Sequence, residues 1–388
     1  MSEKLKDLMD RTAAIDFAPV DLDTITAAGD RTVRRRRLAL GAGALALVLA
    51  AGAAVAVSGR GDDREHVAQD PTGAPLGAPT WVRGSKLHTP TASYELGHEV
   101  AGYVRTTAGY AFLDTEGRVY SYVGGKVERI GETATEDGLP TLVTGEGTSI
   151  VGWVGRSGRN RFVAHDLATG QHWTFGDVRA VRSGDDSLDT PEEIAVFRAV
   201  DGRTAFVVDS RGEVAVQLDS GAVRVVRVDG NDEQVVDDAA GGQIAFVRTS
   251  DTSISVGSET TTARPLAKTS TGSAGLSSDG RWYLGSTPPT SKDLGEDGFQ
   301  IVLGMPVAVE IATGRRVRLD IQGHGIGRGV HWLDDDTALV MARDEGNSPV
   351  ELMACEVRSG ECAVVASIGR YAEGKSPLHL ATGLSFDF

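Results

Sequence analysis

Residues 206–230 read FVVDSRGEVAVQLDSGAVRVVRVDG. Three runs rich in valine and phenylalanine, alternating in character every second residue, are separated by turn residues at 210–212 and 219–221, and Asp229 and Gly230 close the set. Period-two runs punctuated by Ser, Asp and Gly predict short strands joined by tight turns, that is, an antiparallel meander. Residues 110–130 repeat the layout: YAFLD, the turn TEG, RVYSYV, the turn GG and KVERI.

Working outward, a five-residue turn of acidic, apolar, any, Ser/Thr, Gly recurs as DLATG at 166–170, EIATG at 310–314 and EVRSG at 356–360. Gly314 and Gly360 are 46 residues apart, and Gly170 to Gly314 is 144, or three units of 48. Gly125 and Gly221 stand one repeat to either side of Gly170, and a weaker turn at 259–262 fills the remaining gap. That makes six hairpins, with 235 residues from Gly125 to Gly360 over five intervals, a mean of 47. Four short strands with their turns need ~40–50 residues, the length of one β-propeller blade, whereas a β-sandwich has no reason to repeat at that interval. The expectation is an all-β, six-bladed propeller over residues 81–388, with seven blades as the alternative. Either the chain end LHLATGLSFDF or the stretch near Trp81 closes the ring.

GLSSDGRWYLGS at 275–286 resembles the strand–turn–strand signature of TolB-like and WD-repeat-like propellers, and HWLDDDTALVMA at 331–342 is similar to a looser copy. In that family a proline precedes the Asp-Gly turn, where this chain has Ser278, and no Trp-Asp dipeptide occurs. The resemblance implies the fold and carries over no functional residue.

Location is read from residues 34–57, RRRRLALGAGALALVLAAGAAVAV. Leu38 to Val57 is 20 residues without charge, enough at ~1.5 Å per residue to cross a ~30 Å hydrocarbon core as a helix. Arg34, Arg35, Arg36 and Arg37 precede it, and Asp62, Asp63 and Glu65 follow. By the positive-inside rule, residues 1–37 form a cytoplasmic tail, 38–57 one transmembrane helix, 58–80 a flexible Gly/Pro-rich linker and 81–388 an extracytoplasmic domain at the plasma membrane. A twin-arginine signal peptide cleaved after Ala54, Val55 and Ala56 is the rival reading. Leader, arginine cluster, alanine-rich span and propeller together resemble membrane-tethered proteins of actinobacteria.

The net charge is −15, while the first 37 residues hold eight basic and seven acidic side chains, so the acidity belongs to the rest of the chain. A basic nucleic-acid footprint is absent there. The chain has no P-loop, dinucleotide fingerprint, His-Glu-x-x-His or Gly-x-Ser-x-Gly motif, which leaves no reaction named by sequence and no cofactor expected. Three groups draw attention. His165 and His172 flank the DLATG turn and should face each other across adjacent strands, a start for a zinc or copper site if a third ligand approached. Asp334, Asp335 and Asp336 could offer oxygens to calcium. Cys355 and Cys362 hold the same register around EVRSG, which sets them opposite each other on the oxidising side and predicts a disulfide. The longer loop at 288–298 is a candidate binding insertion. The expected function is an interaction or ligand-binding module with a protein or cell-envelope ligand. The alternatives are a transducer of anti-sigma type that holds a partner on its cytoplasmic tail, and a cell-envelope hydrolase or lyase.

Overall fold

The meanders become four-stranded antiparallel sheets standing in a ring within one unit, residues 66–388. The computed structural model describes residues 74–134, 141–155, 161–176, 196–209, 211–226, 234–248, 253–258, 261–287, 305–344, 348–369 and 378–382. The expected tail 1–37, apolar segment 38–57, most of the linker and the 288–298 loop lie outside these residues.

Among the described residues there are seven blades, so the expectation of six is corrected and its alternative of seven holds. Blade 1 joins β1 (Trp81–Arg83), β2 (Lys86–His88) and β3 (Ser93–Glu95) to a strand from the far end of the chain. Blade 2 is β4 (Val100–Arg105), β5 (Tyr110–Asp114), β6 (Arg118–Val123) and β7 (Lys126–Glu132). Blade 3 is β8 (Val143–Thr144), β9 (Ile150–Gly155), β10 (Arg161–Asp166) and β11 (His172–Phe175). Blade 4 is β12 (Val196–Asp201), β13 (Thr204–Asp209), β14 (Gly212–Gln217) and β15 (Val223–Val225). Blade 5 comprises β16 (Gln234–Ala240), β17 (Gln243–Arg248), β18 (Ser253–Ser258) and the first part of β19 (Thr261–Leu276). The end of β19 then opens blade 6, with β20 (Trp282–Ser286), β21 (Pro306–Glu310) and β22 (Arg316–Arg318). Blade 7 is β23 (Ile326–Trp332), β24 (Thr337–Arg343), β25 (Val350–Glu356) and β26 (Cys362–Gly369). Finally β27 (Leu378–His379) pairs antiparallel with β1, Val82 opposite His379 and Arg83 opposite Leu378. Both stretches offered for closure thus meet in one blade.

Blade 1 escaped the turn count because its last hairpin has no glycine. Thr89 N–H donates to Ala92 O at 2.8 Å, and its hydroxyl oxygen accepts the Ala92 N–H at 3.0 Å. Elsewhere the glycine turn works as the motif requires. The N–H groups of Gly170, Gly314 and Gly360 donate to the carbonyls of Asp166, Glu310 and Glu356 at 2.7–2.8 Å, with the glycines at φ of 72–83° where a Cβ is disfavoured. The acidic residue holds the turn's Ser/Thr: Thr169 and Thr313 hydroxyls donate to Asp166 and Glu310 at 2.8 Å, and Ser359 N–H to Glu356 at 2.7 Å.

The core is seven apolar slabs, one between each pair of neighbouring blades. Period two explains them: on β5, Tyr110 and Phe112 pack toward blade 1 while Ala111 and Leu113 pack toward blade 3. The second strand β5 is therefore buried on both faces, and outer strands such as β15 are exposed along their length. The inner strands β4, β12, β16 and β23 each carry one extra residue, at Ala101, Arg198, Asp237 and Val330. Such bulges re-aim side chains without breaking the sheet. The end of the expected linker is already packed on this body: Ala74 and Thr80 are buried, and Pro75 O accepts the Tyr110 hydroxyl at 3.2 Å.

Candidate channel-mouth site

Blades 2 to 7 are each entered at the inner strand, so their first and third connections share one face of the ring. On that face the connection after β8, TGEGTS at 144–149, turns inward. An added Cβ at Gly145 would overlap Val200 O of blade 4 and lie 3.0 Å from Ala239 O of blade 5. Gly147, at φ 79°, lies against Ser278 of blade 6. Between them Glu146 Oε1 accepts the Trp332 N–H of blade 7 at 3.0 Å, and Thr107 N–H of blade 2 donates to Thr148 O at 2.9 Å. Glycine on both sides is what permits this approach; the loop lies across the mouth of the central channel.

Above it is a cavity of about 300 Å³, walled by Leu76, Arg105, Thr107, Trp332 and Asp334 with the loop as floor. Arg105 is its clamp: one guanidinium nitrogen donates to Leu76 O at 2.6 Å and the other to Trp332 O. It thereby ties the segment before β1 to the inner strand of blade 7.

The floor is acidic, and its carboxyl groups are half-buried. Burial pushes the Glu146 carboxyl up to about 7, against the opposing pull of Arg105 and the Trp332 N–H. Asp238 is pushed up to about 7 by burial, with Asp237 and Glu146 adding repulsion, although it accepts the Leu276 N–H at 2.7 Å and the Ala239 N–H at 2.8 Å. Burial raises Asp237 to about 6 while the Tyr283 hydroxyl, 2.9 Å away, and Arg198 draw it down. Neither ring nitrogen of buried His331 has a hydrogen-bond partner among the described residues. Burial, with the Arg105 charge added, holds that imidazole neutral, well below its usual range. Carboxyl groups that exchange protons near neutrality suit acid–base chemistry. Here, however, Glu146 and Asp238 already accept backbone N–H groups and Asp237 accepts the Tyr283 hydroxyl.

The residues singled out in the sequence lie elsewhere. His165 and His172 are opposite each other on β10 and β11, ring centroids 5.7 Å apart and edge to face. Burial lowers the pKa of His165, helped by His172. No group of three or more His, Cys, Asp or Glu side chains is placed to hold a metal among the described residues. The three aspartates diverge, because consecutive residues of a tight turn point apart. Asp334 accepts the Asp336 N–H at 2.9 Å, Asp335 takes the Ser278 hydroxyl, and Asp336 pairs with Arg358 at 2.8 Å. Cys355 and Cys362 are opposed and disulfide-bonded, with Cα atoms 4.0 Å apart. Glu146, Asp237, Asp238 and Arg105 went unremarked in the sequence. The usable signals were an acid between two glycines just after a strand, and paired aspartates inside the apolar run VVDDAA.

No family model matches this chain, and no curated protein does. Solved structures do match in shape. TolB from Acinetobacter baumannii is 10% identical with a TM-score of 0.40, over 78% of this chain and 66% of that one. AztD from Citrobacter koseri is 11% identical with a TM-score of 0.48, over 78% of this chain and 96% of its own. A chain of a nidogen/laminin complex is 12% identical with a TM-score of 0.37, over 73% and 100%. Identities this low transfer no residue role and no activity.

Proposed function

We propose that this chain is a membrane-tethered, extracytoplasmic propeller that acts as an interaction or ligand-binding module, with the channel-mouth face as its recognition surface. The observation that carries this reading is the cavity of about 300 Å³ over the Gly145–Glu146–Gly147 floor, where Arg105 and loops of several blades converge. That volume lies at the lower end of ordinary small-ligand and peptide side-chain pockets, and rigid scaffolds present binding groups on such loops. The tether is supported by Arg34 to Arg37 followed by the 20 uncharged residues Leu38 to Val57. An interaction role is favoured over a hydrolase because the Glu146 and Asp238 carboxyls are already bonded to backbone N–H groups.

A photocrosslinking amino acid in the full-length chain in its own membranes tests the face. Thr107 is exposed at the mouth and Glu116 is exposed on the opposite side. The reading expects one discrete adduct from position 107 that Arg105→Ala abolishes, and none from position 116. Equal labelling from both, or from neither, overturns it. Extraction of the chain by alkaline carbonate would separately overturn the tether.

A further inference from the structure

The 144–149 loop belongs to blade 3 yet meets blades 2, 4, 5, 6 and 7. Its apex is held by a side chain that can change charge: Glu146, seated on the Trp332 N–H. We propose that residues 145–147 form a proton-operated plug, which seats across the channel mouth while Glu146 is protonated and leaves it when Glu146 ionises. The idea does not depend on what the mouth binds.

The charges facing Glu146 come from several elements. Arg105 on β4 and the Trp332 N–H on β23 both favour the ionised, seated form and oppose the switch. Asp238 on β16, with Asp237 behind it, repels a carboxylate, and Asp334 and Asp335 lie at the rim of blade 7 beside Ser278. His331, next to Trp332, is held uncharged and supplies no attraction. Burial outweighs Arg105, placing the seated carboxyl at about 7 against 4.5 for a free glutamate. A group whose seated value is raised binds its proton more tightly when seated. Seating is therefore complete below the free value and lost as pH rises through the seated one. Between pH 5.5 and pH 8 these two values shift the equilibrium toward release on the order of 30-fold. Gly145 and Gly147 supply the freedom to swing, since neither flank bears a side chain to drag through the gap.

Amide hydrogen exchange of the full-length chain tests this, with rates corrected for the intrinsic effect of pH. Peptides covering 141–149 and 326–333 should open on the order of 30-fold more at pH 8 than at pH 5.5, while the 110–118 peptide keeps a constant protection. In Glu146→Gln, which keeps the acceptor for Trp332 N–H but cannot ionise, both should stay protected throughout. In Asp238→Asn the rise should persist. A flat wild-type profile, a rise that survives in Glu146→Gln, or a rise shared by 110–118 overturns the plug. Should Glu146→Gln not fold, loss of the rise in Asp238→Asn assigns the transition to Asp238 and overturns it equally.

Discussion

Carboxylates in this ring divide into two sets that respond to pH in opposite senses. At the rim, hydrogen bonding from Arg358 holds Asp336 low, and the Ser359 side chain does the same for Glu356. Such depressed groups add stability above the ordinary carboxylate range and lose it as pH falls below that range. At the channel, burial raises Glu146 and Asp238 to about 7, so their contribution is complete near pH 4 and is lost as pH rises through 7. Thermal unfolding is therefore expected to be most resistant at mildly acidic pH, with Tm falling by several degrees from pH 5.5 to pH 8. Asp238→Asn should be less stable at pH 5.5 by about 1–2 kcal/mol, because an amide offers one acceptor oxygen to two N–H groups, and its Tm should vary less with pH. A wild-type Tm that climbs across this window contradicts the account. None of this was legible in the sequence. An aspartate pair in VVDDAA and a glutamate in TGEG look like solvated turn residues until inner strands from other blades close around them, and those contacts are non-local.

Elements were legible where the chemistry is local. The acid, the Ser/Thr and the glycine of the recurring turn each have a bond to make within five residues, so the motif predicted the hairpins and the register on both sides. That register set His165 opposite His172 and Cys355 opposite Cys362. What it could not give was a third metal ligand, which must come from another element. The bulges at Arg198 and Asp237 were equally hidden, since one extra residue leaves no mark on a run of apolar and charged side chains. The disulfide belongs to this scale. Cys355 is buried against the slab between blades 6 and 7, with Cys362 packed on it, at a sequence separation of seven. Closing so short a loop contributes about 2–3 kcal/mol in the chain-entropy model. Replacing both cysteines by alanine should lower stability by about that amount and raise hydrogen exchange mainly in β25 and β26. Thiol titration of the denatured, unreduced wild type should find no free cysteine, and two reactive thiols would refute the bond.

At the scale of the whole ring, the sequence revealed the architecture and missed one blade, for a reason that concerns closure. Blade 1 is split between the two ends of the described chain: β1 to β3 lie ahead of the first counted turn glycine, Gly125, and its inner strand β27 comes only at Leu378. Its outer hairpin uses Thr89 where the others use glycine, so no motif marked it. That split makes β27 the strand on which the circle depends. It pairs with β1, and Leu378 and Leu380 fill the slab between blades 7 and 1 alongside Val330, Met341 and Trp81. Arg83 of blade 1 also reaches Ile368 O of blade 7 at 3.4 Å. Without β27 the inner edge of β1 would expose unpaired backbone groups to the channel, and the slab would lose two buried leucines, each worth about 2–5 kcal/mol by analogy with truncation to alanine. A chain ending at residue 377 is therefore expected to melt far below wild type. Blades 1 and 7 should exchange hydrogen fastest, and blade 4, opposite the seam, should remain the most protected. A synthetic peptide of residues 378–388 added in excess should restore part of the lost Tm in proportion to its concentration, because it binds only the folded ring. Leu380→Asp in the intact chain should reproduce the loss. A truncated chain that melts like wild type would mean that the ring is held by its other six slabs alone.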